Sequence, residues 1–230
     1  CGSCGASDSL VAVGPGIERL AEEVAERFPG ARPVVLSSDM GSMRQIRDRF
    51  AEIARGEYDI IIGTQLVAKG HHFEKLSLVG VIDADLGLAH GDPRAAEKTF
   101  QILTQVTGRA GRESRSGKAF LQTYHPDHPV MKAMVSGDRE GFYNHELMVR
   151  RQGGLPPFGR LAALIVSGNE HTETMALARD LMAAAPLAEG VRRFGPADAP
   201  VAMVRGRHRV RILVQSPKDF DLSGYVRFWL

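Results

Sequence analysis

The sequence predicts an α/β fold with a central parallel sheet, followed by a smaller α+β domain. Short runs of β-branched residues alternate with segments of helical periodicity as far as residue 123. Strands that alternate with helices are typical of right-handed βαβ units, in which helices cover both faces of a parallel sheet. The alternation then stops, and the motif GGLPP at residues 153–157 interrupts the chain, because a double proline cannot continue a helix. The chain therefore divides into two domains of different class.

The elements of the first domain follow from the spacing of apolar residues. Ile17, Leu20 and Val24 recur at three- and four-residue steps, which predicts a helix that ends at the Pro-Gly pair at residues 29–30. Three consecutive isoleucines at residues 60–62 predict a strand buried on both faces of the sheet. The same two patterns predict helices at residues 43–54 and 94–106 and strands at residues 33–36, 78–82 and 119–123. Functional loops of such a sheet gather at the carboxyl ends of its strands.

The second domain follows a helical connection. The spacing predicts helices at residues 130–135 and 139–152, a strand at 161–166, a helix at 173–184 and a basic strand at 205–215. The chain stops within a helical pattern of Leu222, Val226 and Trp229 and starts at Cys1, so we expect a fragment with an incomplete C-terminal domain. The expected division is residues 1–10 as the end of a zinc-binding insertion, 11–135 as the first domain, 136–157 as a helical linker and 158–230 as the truncated α+β domain.

Composition indicates a globular chain of low net charge. Its 230 residues are 43% hydrophobic, which is enough for one large core or two modest ones. The sequence has neither a long apolar run nor a basic segment followed by an apolar one at its N-terminus. No membrane partner and no signal peptide are therefore predicted, and a cytoplasmic location is expected. The net charge of +2 does not itself indicate a nucleic-acid partner, so that assignment depends on local clusters of charge.

The segment QVTGRAGR at residues 105–112 is the strongest candidate for a phosphate-binding element. It places Arg109 and Arg112 three residues apart, each directly after a glycine, Gly108 or Gly111. Arginine binds phosphoryl oxygens bidentately and, in nucleotide hydrolases, neutralises the charge that develops during phosphoryl transfer. Glycine lets the backbone turn and approach a ligand closely. An ordinary basic loop after a helix is the alternative, and the segment alone does not exclude it.

A second candidate is the loop GTQLVAKGHHF at residues 63–73, which follows the isoleucine strand. Its hydroxyl, amide, ammonium and imidazole groups belong to Thr64, Gln65, Lys69 and His71. Such groups position a sugar-phosphate backbone without reading its sequence. A metal site on His71 and His72 is disfavoured, because adjacent residues point in different directions and no carboxylate spacing completes the ligand set. A purely structural loop is the remaining alternative.

Acidic residues near strand ends are interpreted as structural. Asp83 and Asp85 would share a face if the preceding strand continued through them, and they could then bind a magnesium ion. Such acids more often cap the next turn or pair with an arginine, so the structural role is favoured. Asp92 is the expected N-cap of the following helix, with Pro93 in its first turn.

Cys1 and Cys4 form a CxxC motif, whose two thiolates can face one metal ion. A closed zinc site needs four ligands, and the sequence has no other cysteine and no histidine nearby. Half of a zinc site, completed by residues upstream, is the favoured interpretation. A redox dithiol and two incidental thiols are the alternatives.

Arginines alternate near the end of the chain. Arg205, Arg207, Arg209 and Arg211 would lie on one face of a strand, since side chains of a strand alternate with a period of two. Between residues 191 and 211 six arginines accompany one aspartate, an excess of positive charge that suits phosphates. The alternative is a solvated edge strand that its charges protect from aggregation.

Taken in order, the CxxC motif, GTQLVAKGHHF, VIDAD and RAAEKTFQILTQVTGRAGR resemble the primosomal replication-restart DNA helicases, a family of helicase superfamily 2. The resemblance covers nearly the whole chain. It implies that residues 11–135 form the second of two RecA-like helicase lobes, with residues 63–73 as motif V and residues 105–112 as motif VI. It also implies ATP-dependent unwinding of DNA at stalled replication forks.

The same resemblance implies roles for individual residues. Contacts to ATP are expected from motif VI, namely from Gln105, Gly108, Arg109 and Arg112. Arg112 is the first candidate for the catalytic arginine finger, and Arg109 is the second. Contacts to DNA are expected from Thr64, Gln65, Lys69, His71, Arg205, Arg207, Arg209 and Arg211. Cys1 and Cys4 would be the last two ligands of the family's zinc insertion.

The implied cofactors are ATP and Mg²⁺, with Zn²⁺ in the parent protein. The sequence has no GxxxxGK[ST] phosphate loop and no acidic DExx box, so ATP and Mg²⁺ would be held mainly by a first lobe outside this chain. We therefore expect this chain alone neither to hydrolyse ATP nor to unwind DNA. The implied partners are branched and single-stranded DNA, single-stranded DNA-binding protein and other primosome proteins.

Two other classes of function are considered. A non-enzymatic nucleic-acid or protein-docking module would use the same glycines and arginines only to bind phosphate. A small-molecule enzyme on a doubly wound sheet is disfavoured, because the sequence offers no nucleophile, base and oxyanion set.

Overall fold

The computed structural model describes residues 16–37, 43–64, 73, 76–88, 92–110 and 117–230. The chain divides into two compact units, one within residues 1–89 and 96–134 and the other within residues 90–95 and 135–230. None of the helices in the described ranges combines the length and the apolar character that crossing a membrane requires.

The N-terminal part of the chain alternates helices and strands, as the sequence predicts. Its elements are α1 (Ile17–Arg27), β1 (Pro33–Leu36), α2 (Met43–Arg55), β2 (Ile60–Gly63), β3 (Leu78–Val81), α3 (Ala95–Thr107), β4 (Lys118–Leu121) and α4 (Pro129–Ser136). β1 pairs in parallel with β2, and β3 pairs in parallel with β4. The parallel α/β class is thus confirmed. The described strands form two separate pairs, so a single central sheet stays a prediction.

A small core covers the first parallel pair. Val34 and Leu36 of β1 are buried together with Ile53 of α2 and with Phe73. The ring centroid of Phe73 lies 5.9 Å from that of Phe50 on α2. The helix between the two strands therefore packs onto their pair, as in other βαβ units.

The C-terminal unit contains a three-stranded antiparallel sheet. Its elements are α5 (Arg139–Gly153), β5 (Gly159–Gly168), α6 (His171–Ala183), β6 (Arg192–Val204), β7 (Arg207–Pro217) and α7 (Leu222–Trp229). The strand order is β5-β7-β6, which places β7 in the centre. Val210, Ile212 and Val214 of β7 are fully buried in a core shared with α6 and α7. The predicted α+β class of this part is confirmed.

Hydrogen bonds from two aromatic side chains hold α7 against the rest of this unit. The Asp221 side chain accepts a bond of 3.0 Å from the Gly224 N–H and so caps the helix. Trp229 donates its indole N–H to the carbonyl of Leu181 at 2.9 Å, and the Tyr225 hydroxyl donates to the carbonyl of Pro186 at 2.7 Å. The helix predicted from the apolar spacing is thus present and buries its apolar side.

Strand β6 is absent from the sequence prediction. It carries Gly195-Pro196 and Pro200, residues that weaken a strand pattern because proline cannot donate a backbone hydrogen bond. Its pairing with β7 shifts register between Phe194 and Ala197 and again between Asp198 and Met203. Bulges of this kind are tolerated at the edge of a sheet, which is where β6 lies.

Helix α5 is joined at its end to the antiparallel sheet. The Asp138 side chain caps its start by accepting a bond of 2.8 Å from the Gly141 N–H. Gly154 ends it in the left-handed conformation, with φ of 62°. The Gln215 side-chain amide on β7 donates to the carbonyls of Gly153 and Gly154 at 2.6 and 2.7 Å. The end of the segment predicted as a linker therefore contacts the domain that follows it.

Candidate functional site

The described part of the arginine segment lies at the end of α3. Gln105 is an exposed residue of the last helical turn, and Arg109 is partly buried in the turn that follows. The Gly108 N–H donates to the carbonyl of Thr104 at 3.0 Å, and the Arg109 N–H donates to that of Val106 at 3.1 Å. Gln105 therefore belongs to the last turn of α3, and Arg109 to the turn that directly follows it.

The packing of α3 positions this segment. Thr99, Phe100 and Leu103 are the buried residues of the helix. One turn before Gly108, the Thr104 hydroxyl donates to the sulfur of Met134 on α4 at 3.5 Å. Since its apolar side is fixed in this way, α3 presents its exposed residues, including Gln105, in a defined direction.

Thr64 is exposed and directly follows the carboxyl end of β2. The sequence predicts functional groups at this edge of the sheet, and Thr64 occupies the predicted place. Its hydroxyl is therefore accessible to a ligand.

Of the two aspartates after β3, Asp85 has the predicted structural role. The strand ends at Val81, so Asp83 and Asp85 do not share a strand face. Asp83 adopts a left-handed conformation, with φ of 54°. Asp85 accepts hydrogen bonds from the Thr123 hydroxyl and the Tyr124 N–H, both at 2.6 Å. Burial alone would raise the pKa of Asp85, but these two hydrogen bonds and the nearby His125 and His128 together lower the pKa.

Asp92 lies in the turn before α3, which begins at Ala95, so it stands two residues ahead of the N-cap position that the sequence predicts for it. Its side chain accepts a bond of 2.8 Å from the Arg94 N–H, and its carbonyl accepts one of 2.8 Å from the Ala95 N–H. These bonds satisfy backbone donors at the helix N-terminus, which have no partner within the helix itself.

The structure corrects the predicted arginine stripe at one position. Arg205 does not belong to the strand, because β7 begins at Arg207. Arg205 and Gly206 form the two-residue turn between β6 and β7, with φ of 50° and 75°. Two-residue hairpin turns of type I′ have positive φ at both central residues, and their twist then matches that of the strands. Arg205 therefore lies at the tip of the hairpin rather than on the face of the sheet.

The other three arginines share one face of β7, as predicted. They alternate with the buried Val210 and Ile212, so they lie on the face opposite the core. Arg207 donates to the carbonyl of Ser167 on β5 at 2.9 Å. Arg209 and Arg211 are partly exposed and make no hydrogen bond or ion pair with any described residue. Their guanidinium donors are thus available to a ligand.

Known proteins resemble this chain over almost its whole length. A family model described as "Primosomal protein N C-terminal domain" matches residues 151–227. Proteins named replication restart protein PriA match the chain at 42% identity in Rickettsia conorii, 34% in Bacillus subtilis and 34% in Haemophilus influenzae. These matches cover 100%, 99% and 99% of this chain.

This chain belongs to the PriA family. It spans about a third of the length of the relatives, namely 36%, 28% and 31%. The match to the PriA C-terminal domain runs from the end of α5 into α7, so it includes all three strands of the antiparallel sheet and helix α6. The exposed arginines of β7 are therefore part of the PriA C-terminal domain.

The remaining predicted site residues lie outside the described residues: Cys1, Cys4, Gln65, Lys69, His71 and Arg112. Within the part of the PriA chain that the structure describes, no three His, Cys, Asp or Glu side chains are grouped so that they could hold a metal ion.

Sequence reasoning missed two exposed residues of the PriA C-terminal domain, Arg192 and Phe194. They lie on β6, and the guanidinium carbon of Arg192 is 5.9 Å from the centre of the Phe194 ring. The sequence Arg-Arg-Phe at residues 192–194 was a possible signal. This segment was not recognised as part of a site, because the strand that presents it was not predicted.

Proposed function

We propose that this chain forms the second motor lobe and part of the C-terminal domain of an ATP-dependent DNA helicase that restarts replication. The observation that carries the proposal is the similarity of the whole chain to proteins named replication restart protein PriA. The parallel pairs of the N-terminal unit support a RecA-like lobe, since that lobe is built on a parallel sheet.

The proposed nucleotide site uses the arginine segment after α3. Gln105 lies in the last turn of α3 and Arg109 in the turn directly after it, so the two residues are close enough in the chain to serve one phosphate chain. Arg112 is the first candidate for the finger that neutralises charge on the transferred phosphoryl group, and Arg109 is the second. ATP and Mg²⁺ would be held mainly by a first lobe outside this chain, and the segment would complete their site.

The proposed DNA contacts lie in both parts of the chain. In the N-terminal unit they are Thr64 at the exposed end of β2, with Gln65, Lys69 and His71 after it. In the C-terminal domain they are the arginines of β7 and Arg205 at the hairpin tip. Hydroxyl, amide and cationic groups bind the backbone of nucleic acid irrespective of sequence.

The remaining parts of the proposal concern zinc, location and other proteins. Cys1 and Cys4 would contribute two thiolate ligands to a zinc site whose other ligands lie upstream. The other partners would be single-stranded DNA-binding protein and primosome proteins at branched DNA, in the cytoplasm.

An arginine-to-alanine variant of the full parent protein tests the nucleotide role. Arg112→Ala should reduce DNA-stimulated ATP turnover by about 10³- to 10⁵-fold, as for other arginine fingers, and leave DNA binding intact. Arg179→Ala, which removes an exposed arginine of α6, is the matched control and should leave turnover unchanged. Wild-type turnover in Arg112→Ala would exclude the finger role.

The present chain tests the rival docking function. Purified alone, it should bind DNA without hydrolysing ATP, because it has no phosphate loop. A parent protein that also lacks DNA-stimulated ATP turnover would favour the non-enzymatic docking module.

A further inference from the structure

The antiparallel sheet of the C-terminal domain has one face covered by α6 and α7 and a second face, called the open face, which is covered only at Gln215 by the end of α5. On the open face Leu213 of the central strand lies between Ala163 of β5 and Phe194 of β6. Two residues away on the same face of β7, Arg211 lies between Ile165 of β5 and Ala197 of β6. Cross-strand neighbours of this kind are in direct side-chain reach, so apolar and cationic groups form one continuous surface.

The apolar part of the open face is accessible. Phe194 is 46% exposed and Ile165 is 40% exposed, although both belong to regular strands. Arg192 lies beside Phe194, with its guanidinium carbon 5.9 Å from the ring centre. A half-exposed aromatic ring next to a guanidinium group is a suitable surface for another flat, electron-rich ring.

The charge of the open face has one sign. Asp198 is the only acidic residue in the three strands, which are fully described. It pairs with Val210, whose side chain points into the core, and it binds Nε2 of His171 on α6 at 2.8 Å. The acidic group therefore belongs to the covered face. Arg209 and Arg211, which have no partner among the described residues, are left to attract an anion.

We propose that the open face binds single-stranded nucleic acid, with a base stacked on Phe194 and the phosphates held by Arg209 and Arg211. The inference rests on the proposed DNA contact of the same arginines, and it adds the form of the strand and an aromatic anchor. Positive grooves with exposed aromatic rings bind single strands, because unpaired bases can stack on them. A duplex keeps its bases stacked inside and would leave Phe194 without a partner.

The proposal is tested by titrating this chain with a fluorescent oligo-dT. A length of about 16 nucleotides is within the site sizes of folds that bind single strands. Phe194→Ala should weaken binding about 5- to 150-fold, the effect of losing one stacked base, and should leave binding to a duplex unchanged. Phe194→Tyr should bind as the wild type does. The matched control is Phe228→Ala, which removes an 81% exposed ring from α7 and should have no effect.

A second pair of measurements separates this inference from the proposed function. Replacing both Arg209 and Arg211 by Gln should weaken oligo-dT binding and lower its salt slope by about 1.4, at about 0.7 per phosphate. In the wild type, an oligonucleotide containing 5-iodouracil should crosslink on irradiation within residues 192–197.

The outcomes are then distinct. Wild-type oligo-dT affinity in Phe194→Ala, with no crosslink in residues 192–197, would overturn the stacking proposal. If the double arginine variant is weakened in that case, the DNA contact of the proposed function still stands. If neither variant weakens binding, the stacking proposal and the DNA contact of the proposed function both fail on this surface. Displacement of oligo-dT by an acidic peptide, with the Phe194→Ala affinity unchanged, would assign the face to peptides instead.

Discussion

Asp85 accepts a hydrogen bond of 2.6 Å from the backbone N–H of Tyr124, a residue that follows the neighbouring parallel strand. Asp85 itself follows β3, and Tyr124 follows β4. The Thr123 hydroxyl donates to the other oxygen of the same carboxylate at 2.6 Å. A single acidic side chain therefore joins the carboxyl ends of two strands that are paired along their length.

Asp85→Asn should destabilise the N-terminal unit by about 2 kcal/mol, the usual contribution of hydrogen bonds to a charged group. The lowered pKa of Asp85 means that this stability is present above the unfolded pKa, near 4, and is lost as the pH falls below it. Thermal unfolding at pH 7 and at lower pH measures both effects. Asp83→Asn is the matched control and should be neutral, because asparagine tolerates the positive φ at that position. Equal stability of the two variants would contradict the role of Asp85.

The ion pair of Arg32 and Asp59 should make the free energy of unfolding depend on pH. The hydrogen bond from the Arg32 side chain is the largest cause that lowers the pKa of Asp59 from 3.8 to about 2. Below the unfolded pKa the unfolded chain binds a proton that the native carboxylate does not, so stability falls as the pH falls from about 4 to about 2.

Asp59→Asn should therefore be less stable than the wild type at pH 7, and the difference should shrink between about pH 4 and pH 2. Chemical denaturation across this range is the measurement. Glu26→Gln, on the exposed side of α1, should keep the acid dependence of the wild type. A constant difference between wild type and Asp59→Asn would rule out the ion pair as its cause.

Gly159→Ala should destabilise the C-terminal unit by about 1–3 kcal/mol through overpacking. A Cβ at this buried position would overlap the carbonyl oxygen of Gly154 and lie 2.9 Å from that of Ser216, and backbone atoms cannot move aside easily. Gly153→Ala is the control, since its nearest neighbour would be the Leu155 side chain at 3.4 Å. Differential scanning calorimetry should show a lower Tm only for Gly159→Ala.

Arg205→Asn should stabilise the hairpin and weaken nucleic-acid binding less than Arg209→Asn does. Arg205 has φ of 50° before Gly206, and Asn-Gly is a preferred sequence for a two-residue turn with positive φ. We expect a gain of about 0.5–1 kcal/mol from relieving the conformation that disfavours arginine. Arg209→Asn should weaken oligo-dT binding more, because Arg209 lies on the open face of the sheet. A larger loss of affinity in Arg205→Asn than in Arg209→Asn would mean that the hairpin tip, not the open face, is the main contact.

Local patterns predicted the elements that depend on local physics. The strand at residues 33–36 and the helices α1, α2 and α7 were predicted correctly, because apolar spacing and the turn residues beside it are sufficient there. The structural role of Asp85 was also predicted, since aspartate often satisfies backbone donors at the ends of elements. The bulged strand β6 was missed, because its prolines and glycine are disfavoured in strands. The strand forms through its pairing with β7, which the local pattern does not show.

In the candidate site, too, some features could be predicted from the sequence and others could not. The sequence by itself determined the α/β class of the first part, the alternation of arginines on β7 and the PriA resemblance, because spacing and motifs are properties of the chain. Only the tertiary structure decided that Arg205 lies in a turn, that Asp85 bonds residues 38 and 39 positions away, and that Arg192 and Phe194 join the arginine face. These relationships depend on which strands pair and in what register, and distant parts of the chain settle that only when they pack together.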